Sequence, residues 1–493
     1  MTPTVDWIPE RPPVSRGVFA NRTLNLRPIK AIGYDLDYTL VHYRVLAWER
    51  RAYEHLQQGL VELGWPAGDL EFDPNLIIRG LAVDTKLGNI VKANRFGYVK
   101  RAYHGLSPME YDAQRQKYSR TPVDLTDNRW VFLNTLFSLS KGCMYAQLVE
   151  RLDDQQLPRG MTYAELFRVV SRTLDKAHGR GHLKREIIEK PDHFVDLDPD
   201  MPRTLLDQRE AGKKVLLITN SEWEYSVQML TYACDRYLPD GLTWRDLFDL
   251  AIFSARKPSF FSSGSEAFAV TSDDGLLRRC GDGITEPGCY VGGNARLVED
   301  FLGHDQDEIL YIGDHVYGDV HQSKHVRRWR TGLVVRELED EIEALTKFAD
   351  QQQQLSTRMA KKDTLDWRTA QARLVLQRRQ QGHDGAPKVA EPVIKKELQR
   401  IRAETIALDK ELSPLAVAAG SHPNERWGLL MRTGNDKSLM ARHVERHADV
   451  YTSRVSNLMY QTPHAYLRSA RGSLPHDPIA DHLRPDGEKQ PPP

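Results

Sequence analysis

The stretch Ile29-Lys-Ala-Ile-Gly-Tyr-Asp-Leu-Asp-Tyr-Thr-Leu40 sets the reading of the whole chain. A short apolar run closes at Gly33, and two carboxylates, Asp35 and Asp37, follow at once. The same grammar recurs downstream: Val215-Leu-Leu-Ile218 before Thr219, Leu250-Ala-Ile-Phe253 before Lys257, and Ile309-Leu-Tyr-Ile312 before Asp314. A fifth run, Gly332-Leu-Val-Val335, comes soon after. Near-continuous apolar runs separated by helical patterns are how strands buried on both faces read. The fold class expected is therefore α/β, a Rossmann-like parallel sheet. Open sheets of this kind place ligands just past the carboxyl ends of their strands. Four strand ends bearing acidic, hydroxyl and ammonium groups would then converge on one site.

The spacing divides the chain. About 180 residues separate Asp37 from Thr219, far more than one crossover requires. Residues 42–204 are read as an inserted cap for substrate recognition, and residues 1–41 with 205–340 as the catalytic core. Beyond 340 the pattern turns helical and highly charged, as in Val393-Ile-Lys-Lys-Glu-Leu-Gln-Arg-Ile401. Residues 341–470 are expected to form a helical extension packing on the core. Residues 471–493, which end in three prolines, are expected to be disordered.

Composition narrows the class of function. The 493 residues are 40% hydrophobic, enough for more than one core, since a single core stops growing near roughly 250–300 residues. Lys plus Arg and Asp plus Glu each number 68, so no whole-chain field draws the protein to nucleic acid or to an anionic membrane. Cys143, Cys234, Cys280 and Cys289 lack metal-site spacing, which fits a reducing cytoplasm. The N-terminus has no secretory pattern, and no run of about 18 apolar residues suggests a membrane span.

Each motif has a plain reading beside a chemical one. Asp35 can attack phosphorus, and Asp37 can protonate a leaving alkoxide and then activate water. The pair also fits two solvated loop carboxylates. Thr219 and Asn220 can hold a phosphoryl group, or simply cap a helix. Lys257 supplies a cation where charge builds on phosphoryl oxygens, or is a solvated loop lysine. Asp314 and Asp319 suit Mg²⁺, or a turn built on Gly and Asp.

Taken together and in order, Asp-x-Asp-x-Thr-Leu, strand-Thr, Lys-Pro and Gly-Asp-x-x-x-x-Asp resemble the motif set of the haloacid dehalogenase superfamily. The resemblance implies Asp35 as nucleophile, Asp37 as acid and base, and Thr219 and Lys257 on the phosphoryl group. It implies Mg²⁺ held by Asp35, the Asp37 carbonyl and Asp314, with Asp319 acting through water. Further segments resemble the cytosolic purine 5'-nucleotidases of the IMP–GMP type. They include Val18-Phe-Ala-Asn-Arg-Thr-Leu24, Arg79-Gly-Leu-Ala-Val-Asp-Thr85, Leu133-Asn-Thr-Leu-Phe137 and Ser438-Leu-Met-Ala-Arg-His-Val-Glu-Arg-His-Ala-Asp-Val-Tyr451.

That likeness implies a Mg²⁺-dependent hydrolase of purine nucleoside 5'-monophosphates, with phosphotransfer to a second nucleoside as an accompanying activity. The base would be read by Phe137, Asp175, His178 and Lys184. A carboxylate can accept from purine N–H groups, an ammonium can donate to a 6-oxo oxygen, and Phe137 can stack on the ring. Asn134 and Tyr317 match part of a nucleotide effector site, and the family forms homo-oligomers. Four departures stand out. Ser171 replaces the family's helix arginine, Ser138 its asparagine and His325 its effector-site lysine, and the family's long acidic tail is missing. Two other readings stay open: a phosphatase for another small phosphomonoester, and a non-catalytic nucleotide sensor.

Overall fold

The computed structural model describes residues 11–179, 181–281, 283–382 and 389–470. At its centre is a ten-stranded sheet whose middle strands are parallel. Ala31–Tyr34 lies in the centre, flanked by Ile309–Gly313 and Lys214–Ile218. Arg330–Val334 and then Val450–Thr452 extend the sheet on one side; Leu250–Phe253 and Gly288–Gly292 extend it on the other. Antiparallel strands close both edges, Val18–Ala20 at one and Ala267–Val270 with Leu277–Arg279 at the other. The apolar runs picked out in the sequence are the central strands, and their residues are almost entirely buried.

Close strand contact explains Gly33. A Cβ there would stand 2.9 Å from the Tyr311 ring on the neighbouring strand. The large aromatic and the missing side chain are thus one packing arrangement, with Tyr311 filling the space that Gly33 leaves open.

The segment between the first two central strands carries its own five-stranded antiparallel sheet, ordered Ser107–Pro108, Val99–His104, Asn89–Ala93, Leu81–Asp84 and Trp130–Leu133. One face packs into a cluster of Ala82, Val91, Ala102, Tyr118 and Trp130, to which Leu439 from the far end of the chain is added. Helices Val45–Glu62, Leu139–Asp153 and Tyr163–Gly179 belong to the same segment.

The described residues up to Asp340, together with Leu430–Ala470, make one compact unit; Glu341–Leu429 makes a second. The second unit is a pair of long helices, Ala349–Gln380 and Glu391–Ser421, sharing a narrow apolar seam of Leu365, Ile401, Leu408 and Leu412. Arg358–Glu411, Lys362–Asp409 and Arg368–Glu397 flank the seam as half-buried ion pairs. The residues from 430 onward do not continue this helical pattern. They return to the main sheet through Val450–Thr452, where buried Asp449 pairs with Lys324 at 2.5 Å and Arg330 at 3.1 Å. A three-residue strand behind a carboxylate leaves no apolar run to read, so the helical extension expected over 341–470 missed it. The tail from 471 lies outside the described residues.

Candidate active site

Asp35 follows the central strand, and its amide donates to the Ile312 carbonyl at 2.9 Å, so the first motif is tied to the strand that delivers Asp314. Asp35 Oδ1 accepts from the Leu36 amide at 2.8 Å and pairs with Lys257 Nζ at 2.8 Å. Lys257 Nζ also pairs with Asp319 Oδ1 at 2.7 Å and donates to the Tyr311 hydroxyl at 2.9 Å. Tyr311 in turn donates to the Ile218 carbonyl at 2.9 Å. One ammonium thus ties together three separate strand ends.

Lys257 is aimed by its loop. Ser254 and Arg256 adopt φ of 49° and 60°, a region costly for residues with a Cβ, and they turn the chain sharply into the site. Asn220 then clasps the lysine backbone, donating to its carbonyl at 3.0 Å and accepting from its amide at 2.6 Å. Thr219 is fully buried, and its hydroxyl accepts from the Ser221 amide at 3.0 Å.

Asp37 is held differently. Its two oxygens accept from the Tyr43 hydroxyl and the Ser221 hydroxyl, each at 2.6 Å. Tyr225 donates to the Tyr43 oxygen at 2.8 Å, so hydroxyl donors rather than cations surround this carboxyl. Tyr38, the next residue, sits at φ 54° and turns the chain away.

Asp35, Asp314 and Asp319 are all buried, with one oxygen from each lying within 4.8 Å of the others. Burial first, then the neighbouring Asp319 and Asp37, push the Asp35 carboxyl up to about 7, against the pull of Lys257. Asp314 is held well above the usual carboxylate range by burial, then by Asp319 and Asp35. The Lys257 ammonium stays charged despite its burial because Asp319 and Asp35 face it. Three carboxyl groups against one ammonium can all ionise in this low-dielectric place only with a further positive charge beside them. Asp314 Oδ2 is buried without a hydrogen-bond partner. A hard divalent cation fits such a donor set, supplying that charge and a partner for the bare oxygen. Gly313 permits the close approach, since a Cβ there would overlap the Asp319 carboxylate.

A cavity of about 280 Å³ opens above this cluster. Its floor is Asp35, Asp37, Lys257, Asp314 and Asp319, and its walls include Phe137, Asn220 and Tyr317. Phe137 is braced by Tyr38 and Trp48, with ring centroids 4.7 and 5.2 Å away. Asn134 is buried, and the Tyr317 hydroxyl lies 3.2 Å from a His443 ring nitrogen.

The other residues proposed for the base are arranged more loosely. Lys184 Nζ reaches the Ser221 hydroxyl at 3.4 Å and pairs with Glu222 at 2.5 Å. Asp175 is exposed on helix Tyr163–Gly179, where it acts on the Lys141 ammonium, and it does not line the cavity. The His178 side chain lies outside the described residues. The sequence does not set Tyr43 and Tyr311 apart: each reads as an ordinary core aromatic until the fold shows what its hydroxyl meets.

A parallel sheet that gathers carboxylates, a hydroxyl and an ammonium at the carboxyl ends of its strands defines a phosphatase of the haloacid dehalogenase type. The chain belongs to the 5' nucleotidase family, whose model matches residues 18–479, and it is by class a 5'-nucleotidase, a phosphoric monoester hydrolase. It is 27% identical over 472 residues to a 5'-nucleotidase domain-containing protein of Dictyostelium discoideum, covering 93% of this chain and 74% of that protein. Among solved structures it is similar to an archaeal beta-phosphoglucomutase from Pyrococcus sp. strain ST 04, with TM-score 0.30, 10% identity, and coverage of 62% of this chain and 87% of that one. A predicted phosphoglycolate phosphatase from Haemophilus somnus 129PT gives TM-score 0.26, 14% identity, and coverage of 62% and 86%.

Proposed function

We propose that this protein hydrolyses purine nucleoside 5'-monophosphates of the IMP and GMP type through an aspartyl phosphate on Asp35. The observation that carries the reading is the buried cluster of Asp35, Lys257, Asp314 and Asp319 beneath a cavity that also includes Asp37. Asp35 Oδ1 is already engaged by Leu36 and Lys257, which leaves Oδ2 to attack phosphorus in line. As the phosphorus–ester oxygen bond breaks, Asp37 gives its proton to the leaving nucleoside oxygen. The ionised Asp37 then takes a proton from the water that attacks the acyl phosphate, which releases inorganic phosphate and restores Asp35. Tyr43 and Ser221 orient Asp37 through both steps. Lys257 and Thr219 steady the phosphoryl oxygens.

Asp35, the Asp37 carbonyl and Asp314, with Asp319 through water, would hold Mg²⁺, which when bound would offset the charge of the phosphoryl oxygens. Phe137 offers a ring face for the base, and Lys184 a donor for a 6-oxo group. One observation favours a second reading. A cavity of about 280 Å³ lies at the lower edge of ordinary ligand pockets, which suits a smaller phosphomonoester.

Phosphate release from IMP, GMP, AMP and a set of sugar phosphates, with and without Mg²⁺, separates the two. IMP and GMP are expected to be turned over best. Equal or better turnover of the sugar phosphates would overturn the purine reading.

A further inference from the structure

We propose that His321, His325 and His447 form a binding site for a transition-metal ion of the Zn²⁺ class, separate from the carboxylate cluster. His321 ends the helical turn Val316–His321, and His325 follows one turn later on helix Gln322–Arg327. His447 ends helix Leu439–His447. One ring nitrogen from each lies within 4.8 Å of the others. The His321 ring centroid is 4.4 Å from that of His325 and 4.6 Å from that of His447.

Two of these rings hold an unused polar atom. His447 is only 2% exposed, and the Nδ1 atoms of both His447 and His321 are buried without a hydrogen-bond partner. Such atoms are uncommon in folded proteins and call for a partner. In a tetrahedral zinc site, bonds of about 2.0–2.1 Å set nitrogen atoms roughly 3.3 Å apart, so small ring rotations would close the triad. Three protein ligands leave a fourth position, and exposed His325 puts it on the solvent side.

The surroundings select the kind of ion. Arg446 faces His321, His443 and His447, and Arg442 faces His443, so the leading charged neighbours of these rings are cationic. A hard ion such as Mg²⁺, which is held by anionic oxygen, is therefore a poor fit. Directed bonds to neutral imidazole suit Zn²⁺, Cu²⁺ or Ni²⁺. An ion bound here would fasten the helix just after Asp319 to the helix Leu439–His447.

The test uses the full chain, stripped by chelator and then saturated with Mg²⁺. Titration with Zn²⁺ is expected to show one tight site per chain that Mg²⁺ does not displace. Co²⁺ in its place should give the visible absorption of a four-coordinate site. His325→Ala removes an exposed ligand and should weaken Zn²⁺ binding by at least about tenfold while circular dichroism stays unchanged. Asp314→Asn, in the other cluster, should leave this Zn²⁺ binding intact. Zn²⁺ binding that Mg²⁺ displaces, that survives His325→Ala, or that is lost in Asp314→Asn would overturn the proposal. So would His325-dependent binding of inorganic phosphate or ATP in place of Zn²⁺.

Discussion

The two sides of the cavity differ in how firmly they are held. On the core side, Asp35 and Asp319 follow two different strands, and both pair with Lys257, which follows a third. On the side built from residues 42–204, Phe137 is the one proposed base-reading residue among the described side chains that lines the cavity, while Lys184 pairs with exposed Glu222 and Asp175 acts on Lys141. Strand ends are fixed by the sheet's own hydrogen bonds; helix-borne side chains are fixed only by what they pack on. On the function proposed above, the chemistry would be preorganised by the core, and selectivity would rest on helix-borne side chains outside it.

Asp35→Asn attacks the rigid side most directly. Phosphate release should fall by at least about 10³-fold while thermal unfolding shows a folded protein, because a carboxamide cannot form the acyl phosphate. Asp37→Asn should cost about 10²–10⁴-fold, with the larger loss on substrates whose leaving group most needs a proton. Lys257→Met leaves buried Asp35 and Asp319 without their shared partner. It should lower unfolding stability by about 3–5 kcal/mol in chelator, as read by denaturant titration.

A smaller effect follows from the raised Asp35 carboxyl. The folded state keeps that proton up to about 7, whereas the ordinary value is 3.8, so folding takes up a proton between those limits. The metal-free parent should therefore lose stability relative to Asp35→Asn as pH rises from about 4 to about 7. A stability difference that stays flat across this window would contradict the buried, proton-holding Asp35 described above. The smallest effect belongs to the loose side. Glu222→Ala releases Lys184, and the KM for IMP should shift a few-fold, about 1 kcal/mol or less, while kcat and sugar-phosphate turnover hold steady.

What could be read in the sequence follows the same division. Val215-Leu-Leu-Ile218 and Ile309-Leu-Tyr-Ile312 announce buried parallel strands because nothing polar interrupts them, and the residue after each is placed by the strand. The five-stranded antiparallel sheet gives no such sign. Leu81–Asp84 and Asn89–Ala93 are buried throughout, Asp84 and Asn89 included, so neither alternates as a half-exposed strand would. Tyr311 reads as one more apolar strand residue, although its hydroxyl meets both Lys257 and the Ile218 carbonyl. His325 and His447 lie more than a hundred residues apart, and only the packing of two helices brings them together.

The late strand Val450–Thr452 also has a bearing on how the chain is made. It lies between Arg330–Val334 and Val18–Ala20, so an earlier strand must wait on the ribosome for one made more than four hundred residues later. Until then Arg330–Val334 presents bare amides and carbonyls along an apolar edge, the kind of surface on which other chains add. The helical hairpin is synthesised during that interval, between the two strands that must finally pair. A chain stopped near residue 430 would keep this edge open and should collect in aggregates, whatever the state of its carboxylate cluster.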